Sequence, residues 1–320
     1  MGELKNSGLK SCSVLLEAFR KGESKPYNAE KLLFGGVGDR DVYNISAPFE
    51  DDGEMVIAGR VEERNSEASE IYFFVMRDGR WVPREGAPGF ELQDPFFTKI
   101  SGELIFGGVE TFPHPQREGE LSWRTVFYRG KKVADLKPFF SGPDQMKDLR
   151  LVQLQDGKIG IFTRPQGDKG GRGKIGFTKI NSLDELSQEV VLQAPLLQGQ
   201  FSDEEWGGGN EVHLLSNGLL GILGHIAQFD ERGDRHYYPM IFVFDPHTET
   251  HSDMEIIAER ANFVEGPAKR PDLVDVVFSG GLIRHSDGTA DLYAGISDAE
   301  AQKVTIKDPF AGYERQTKSK

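Results

Sequence analysis

Along most of the chain, apolar and polar residues alternate in short runs, and five times a run is broken by a residue–Gly pair before a second run resumes. The pairs are Asp52-Gly53, Ser101-Gly102, Asp156-Gly157, Asn217-Gly218 and Asp287-Gly288. Asp-Gly and Asn-Gly between alternating stretches are the strongest short-range hairpin signal, because both central residues of the favoured turn need positive φ. The hairpins recur every 50 to 70 residues or so, with further strand-like sequence between them, which predicts radial repetition. The expected fold is all-β: a five-bladed β-propeller of four strands per blade, which hides its sheet edges by going round a ring. A two-domain β-sandwich is the competitor, and it does not explain one hairpin pattern across the whole chain.

Two helical stretches interrupt the pattern. Ser11–Arg20 places Leu15, Leu16 and Phe19 on one face, predicting a short N-terminal helix. Residues 1–30 are therefore expected to form an N-terminal extension, with residues 31–320 as the propeller domain. At Ser182–Glu189, Ser182 and Glu185 have the spacing of a capping box, predicting a helix between blades.

Composition narrows the function. Of 320 residues, 38% are hydrophobic, enough for a real core. The net charge is −13, which argues against nucleic acid and anionic membranes as partners. No apolar run approaches a membrane span, and no secretory leader is legible at the start. The single cysteine, Cys12, excludes a disulfide framework and suggests a reducing, cytoplasmic setting. The seven histidines have no metal spacing, so no metal is expected. G-x-S-x-G is absent, as are the Walker and G-x-G-x-x-G phosphate loops.

If each hairpin carries the innermost strand of a blade, its start and finish lie on one face of the ring. The starts are Asn44, Asp94, Asp148, Asn210 and Ser279, and the finishes are Arg60, Glu110, Arg164, His225 and Asp298. Both rows are polar, as the mouth of a binding pocket would be. Asx and Ser at strand starts also satisfy turns, which is the alternative reading for some of them. Directly after the third hairpin comes Phe162–Phe177, where Arg164, Lys169, Arg172 and Lys174 sit among five glycines. With Arg60 and His225 from neighbouring blades, and amides from Gly170, Gly171 and Gly173, it could hold a phosphate dianion. A solvated basic loop is the plainer alternative. Asp94, followed by Pro95, Phe96 and Phe97, is the candidate general acid in an apolar setting. Glu62 and Asp298 are further acids suited to sugar hydroxyls. His213, alternating with apolar residues, reads as an inter-strand residue, and Trp206–Asn210 as a rim loop with an aromatic platform.

Four motifs together carry a family resemblance: Q-D-P at Gln93–Pro95, the run from Arg164 to Gly176, N-S-L-D-E-L after it, and G-N-E-V-H with G-H-I-A. The chain resembles a conserved family of unknown function that includes the mannosyltransferase/phosphorylases of trypanosomatid parasites. It is more distantly similar to the inverting β-mannoside phosphorylases, which are five-bladed propellers. The resemblance implies an enzyme acting on β-linked mannosides, with inorganic phosphate as co-substrate and no cofactor, and in some relatives a nucleotide-sugar donor. It implies Asp94 as general acid, and Arg164, Lys169, Arg172, Lys174 and His225 as phosphate ligands. Asn44, Arg60, Glu62, Asp148, Asn210, Glu211 and Asp298 are then expected to bind the sugar. The distant phosphorylases have Glu-Asp-Pro-Arg where this chain has Gln93-Asp94-Pro95-Phe96. A hydrolase with Glu62 as base, and a non-catalytic propeller binding anionic sugars, are the other readings.

Overall fold

The structure, a computed structural model, describes residues 4–315. Helix α1 (Cys12–Lys21) opens the chain as its pattern requires. The Ser11 hydroxyl caps it by accepting from the Val14 amide, and Cys12, Leu15 and Leu16 are buried against the core. The expected domain boundary at residue 30 runs through a strand, Tyr27–Lys31, which pairs antiparallel with Glu300–Lys307 near the other end of the chain.

Everything else is predominantly β. Among the described residues the strands form a five-stranded sheet (41–83), a four-stranded sheet (93–141), a three-stranded sheet (150–180) and a nine-stranded sheet. The nine-stranded sheet is two antiparallel runs joined by a short parallel pairing of His236–Tyr237 with Asp275–Val276.

The turns divide into two kinds. Asp52-Gly53 and Ser101-Gly102 have both residues at positive φ (55° and 82°, 52° and 80°), as a two-residue hairpin turn demands. At 156–157, 217–218 and 287–288 only the glycine is left-handed. There the Asx side chain accepts from the amide two residues on, as Asp156 does from Lys158 at 3.1 Å. These are three-residue loops, and Asx favours them by side-chain bonding rather than by positive φ.

The expected helix at 182–189 is instead two short turns. Leu183–Glu185 is a 3-10 turn in which Glu185 accepts from Asn181 rather than closing a box with Ser182. Helix α2 (Gln188–Gln193) follows, capped by Ser187. The capping-box spacing therefore misplaced the helix by a few residues.

Packing follows the chain around. One apolar cluster joins the first sheet to the second through Phe73 and Phe106, and another joins the second to the third through Phe127 and Ile161. Phe162, Phe177, Phe242 and Phe244 tie the third to the strands after residue 206. Leu223 and Val243 pack on Leu292 and Val304, and Tyr293 and Ala301 return to Val42 and Phe74 of the first sheet. This last contact is tight: a Cβ at Gly280 would lie 1.8 Å from the Ile45 carbonyl oxygen. Gly280→Ala should therefore cost at least about 3 kcal/mol, because backbone must move. Gly53→Ala, with open space but φ of +82°, should cost roughly 1 kcal/mol. Urea melts of the two variants check the ranking, and equal losses would mean that the first and last sheets are not clamped at Gly280.

Candidate functional site

Several strands bring polar residues at their ends to one cavity of about 570 Å³. Its wall includes Asn44, Arg60, Asp94, Asp148, Arg164, Arg172, His225 and Asp298 from the expected set. Four of these, Asn44, Asp94, Asp148 and Asp298, have left-handed backbone (φ 43°, 50°, 57° and 50°). Asn and Asp tolerate that conformation, which accounts for the Asx residues at these four positions. At Asp94 the pairing register also breaks between Gln93 and Phe96, a bulge that re-aims the side chain.

Asp94 lies in a polar setting, not the expected apolar one. Its Oδ1 accepts from Asn44 Nδ2 at 2.8 Å and from Arg60 Nη1 at 3.2 Å. Phe96, at the position of the distant phosphorylases' arginine, instead supports the Arg150 guanidinium, 3.7 Å above its ring.

Across the cavity, Arg164 and Asp148 form a buried pair, Nη1 to Oδ2 at 3.4 Å. Arg164 Nε donates to the Gly207 carbonyl at 3.1 Å. Burial alone would raise Asp148, but Arg164, with Arg150 and Lys147, outweighs it and holds its carboxyl below the usual range. The glycines serve this pair. A Cβ at Gly173 (φ +143°) would come within 2.7 Å of the Arg164 guanidinium, and one at Gly208 within 2.8 Å of Asp148 Oδ2. Gly208 lies in the strand Trp206–Leu214, so the expected rim loop is an inner strand, with Trp206 still on the cavity wall.

His225 is not a cation. Burial, with Arg164 and Arg150 nearby and only partly offset by Asp148, pulls it down to about 4. Its Nδ1 is 2.9 Å from Asn210 Oδ1. Asn210 is thus a buried support for His225, and its carbonyl also accepts from Arg150 Nε at 2.6 Å. Glu211 contacts His213 on its own strand and the Leu282 amide on another, away from the cavity. Lys169 donates to the carbonyls of Leu192 and Ala194, and Lys174 pairs with Asp203 at 3.1 Å. Neither lysine lines the cavity, because the Gly-rich turn points them outward. Glu62 is 1% exposed and lies behind Arg60, bonded to it, to Lys269, to Ser69 and to Tyr43. It does not reach a sugar.

Sequence reasoning missed Trp123, Lys147, Gln166, Arg235, Tyr237 and Arg270, which also line the cavity. It missed Arg150 as well, although alternation places residue 150 on the face of Asp148. Trp123 Nε1 and Gln166 Oε1 are buried and have no protein partner. Trp206, Phe229 and Tyr237 form an aromatic rim, with Arg172 and Arg235 over the Phe229 ring. Among the described residues, no three His, Cys, Asp or Glu side chains group as metal ligands do.

Such a cavity, with cations outnumbering carboxylates and aromatic faces at its edge, suits a hydroxyl-rich ligand together with a small anion. The chain belongs to the family described as "Protein of unknown function (DUF1861)", matched over residues 18–312. It is 38% identical to MPT-4, a mannose phosphorylase from Leishmania mexicana solved with phosphate, over 93% of each chain and with a TM-score of 0.85. It is 35% identical to MPT-1, a GDP-Man-dependent mannosyltransferase from the same organism, over 95% of this chain and 96% of that one, with a TM-score of 0.84. A curated relative, the 4-O-β-D-mannosyl-D-glucose phosphorylase of Bacteroides fragilis, is 25% identical over 242 residues, 70% of this chain and 60% of its own length.

Asp298 gives the site a pH signature. Burial, reinforced by Asp94 and Glu67 and opposed by Arg60 and Lys269, pushes it up to about 6. A carboxyl with a folded pKa above its unfolded value of about 4 adds stability at low pH, and that stability is lost as pH rises through the folded pKa. Asp298 keeps some solvent contact, so Asp298→Asn should be more stable than the wild type at pH 8 by only about 1 kcal/mol, with the difference gone below pH 4. Thermal melts across that range check it, and a pH-independent difference would contradict the raised carboxyl.

Proposed function

We propose that the chain is a carbohydrate-active enzyme on β-linked mannosides, performing inverting phosphorolysis to mannose 1-phosphate, mannosyl transfer, or both. The observation that carries this reading is a single cavity holding the Asp94 carboxyl on one wall and the Arg164–Asp148 pair, with Arg172, on another. The architecture we propose for it is the five-bladed propeller. Dividing the nine-stranded sheet at its short parallel pairing gives five antiparallel groups, and five apolar clusters link successive groups back to the first. In this reading the strand Tyr27–Lys31 closes the last blade, and only the residues before it form an extension.

In the proposed reaction, phosphate attacks the anomeric carbon as the bond to the bridging oxygen breaks. Asp94 protonates that oxygen, through a sugar hydroxyl if the family pattern holds. The products are mannose 1-phosphate and the shortened acceptor, and the proton gained by the acceptor is balanced by the one phosphate loses. Arg164 and Arg172 would hold the phosphate, with His225 as a neutral hydrogen-bonding group. Asn44, Arg60 and Asp298 would surround the sugar beside Asp94. Because phosphate is already an anion, no carboxylate base is required, in contrast to an inverting hydrolase. The aromatic rim with Arg172 and Arg235 would serve a nucleotide-sugar donor such as GDP-mannose in the transfer mode. Among the described residues, no helix is long and apolar enough to cross a membrane, and a cytoplasmic setting is our expectation.

Purified protein with a β-mannooligosaccharide in phosphate buffer should release mannose 1-phosphate. Free mannose would point to a hydrolase, and binding without turnover to a sugar-binding module. Asp94→Asn should lower kcat by roughly a thousandfold while the fold stays intact. Arg164→Ala should weaken phosphate binding by roughly 2 kcal/mol, whereas Lys174→Ala should leave it within about twofold. An active Asp94→Asn enzyme would refute the assignment of the acid.

A further inference from the structure

We infer that Glu62 and Lys269, neither of which lines the cavity, position the Asp94 carboxyl by locking Arg60, and so act as positioning residues in the reaction proposed above, on which this role rests.

Arg60 and Glu62 are two residues apart on the strand Glu54–Glu62 and so share a face. Glu62 Oε2 accepts from Arg60 Nη2 at 2.7 Å and from Nε at 3.2 Å, which occupies the fork of the guanidinium. The Ser69 hydroxyl closes the triangle, accepting from Arg60 Nε at 2.8 Å and donating to Glu62 Oε2. The guanidinium also lies over the Tyr43 ring, 4.9 Å from its centre. Toward the cavity, Arg60 Nη1 meets Asp94 Oδ1 at 3.2 Å, while Nη2 lies 3.6 Å from Glu67 Oε2.

Glu62 is fixed in turn. Its Oε1 accepts from Tyr43 at 2.7 Å and from the Lys269 ammonium. Lys269 comes from a distant part of the chain and also donates to the Ser66 carbonyl at 2.7 Å, and it pairs with Glu67 at 3.0 Å. Its side chain is only 4% exposed. Burial opposes the Glu62 charge, but Arg60 and the bonds from Lys269 and Ser69 hold its carboxyl below the ordinary range. Arg60 is likewise raised despite burial, by Asp94, Tyr43, Glu62 and Asp298.

The consequence falls on one atom. Asp94 Oδ1 is engaged by both Arg60 and Asn44, so Oδ2 is the oxygen free to carry the proton to the substrate. An Arg60 that could swing would release Oδ1 and let the carboxyl rotate.

The test compares wild type, Glu62→Gln, Lys269→Met, Lys269→Arg and Ser69→Ala by steady-state kinetics, thermal melting and NMR exchange of the Arg60 Nε–H. In folded Glu62→Gln and Lys269→Met, kcat should fall about 10- to 100-fold with KM for phosphate within about twofold, as misplacement of a reacting group would produce. Exchange of the Arg60 Nε–H should become markedly faster in the same variants. Lys269→Arg should retain most of kcat, and Ser69→Ala, which keeps both charges should the others fail to fold, should show a smaller fall in kcat with the same unchanged KM. Wild-type kcat and unchanged exchange in the folded variants would overturn the inference, and so would a loss expressed only in KM or only in melting temperature. Should the wild type turn over no mannoside, the proposed activity falls. The exchange data then decide the lock separately: slow in wild type and fast in Glu62→Gln supports it, and equal rates refute it.

Discussion

The constraint that governs this molecule is that its charged groups are buried where the strands converge, so each needs a fixed partner. A buried ion without one costs several kcal/mol, and a pair of such ions is worthwhile only with good geometry and further hydrogen bonds. Arg60, Asp148, Arg150 and Arg164 are each about 5% exposed or less, and each has at least one partner on another element. The same bonds that compensate the charges tie the first sheet to the second and the third to the fourth run of strands. Compensating the ions and assembling the site are one process.

Backbone geometry makes those partnerships reachable. The left-handed residues at 44, 94 and 148 turn their side chains out of the sheet pattern and into the cavity, and Asn and Asp are the side-chain-bearing residues that accept such φ at little cost. Gly173 and Gly208 let the main chain pass directly against Arg164 and Asp148, where any Cβ would displace the pair. The Gly-rich basic stretch is therefore mainly a frame for one arginine. Its two lysines, which gave the sequence much of its phosphate-loop character, bond instead to the carbonyls of Leu192 and Ala194 and to the exposed Asp203 carboxylate.

Much of the strand pattern was legible because hairpin turns leave a local signature, and the Asx-Gly and Ser-Gly pairs fall at turns throughout. What alternation supplies is the face a residue occupies, not its depth. Glu62 and Asn210 lie in the right neighbourhood but are spent on Arg60 and on His225. Arg235 and Arg270, by contrast, come from a later strand and a loop that reach the cavity only through the closing of the fold. As a phosphate ligand His225 would be expected to carry charge, because sequence alone gives a histidine its ordinary pKa. Only its burial beside Arg164 and Arg150 reveals it as neutral.

That neutrality bears on how the cavity would treat an anion. An ionised Asp148 beside Arg164 cancels much of that arginine's field, and a neutral His225 adds no charge to restore it. Attraction must therefore come from the other cations of the wall, Lys147, Arg172, Arg235 and Arg270, backed by the buried Arg150, whose Nη2 lies 3.9 Å from Asp148 Oδ1. Burial lowers Arg150 only to about 10, so it remains charged at neutral pH. Fixed guanidinium groups supply a field that does not vary across physiological pH, unlike an imidazole. The titrating group is Asp298, which burial beside Asp94 and Arg60 pushes up to about 6. The cavity thus combines guanidinium groups of constant charge with one carboxyl, Asp298, that titrates just below neutrality. That division of labour is what a reaction needs when its nucleophile arrives already charged and only its leaving group requires a proton.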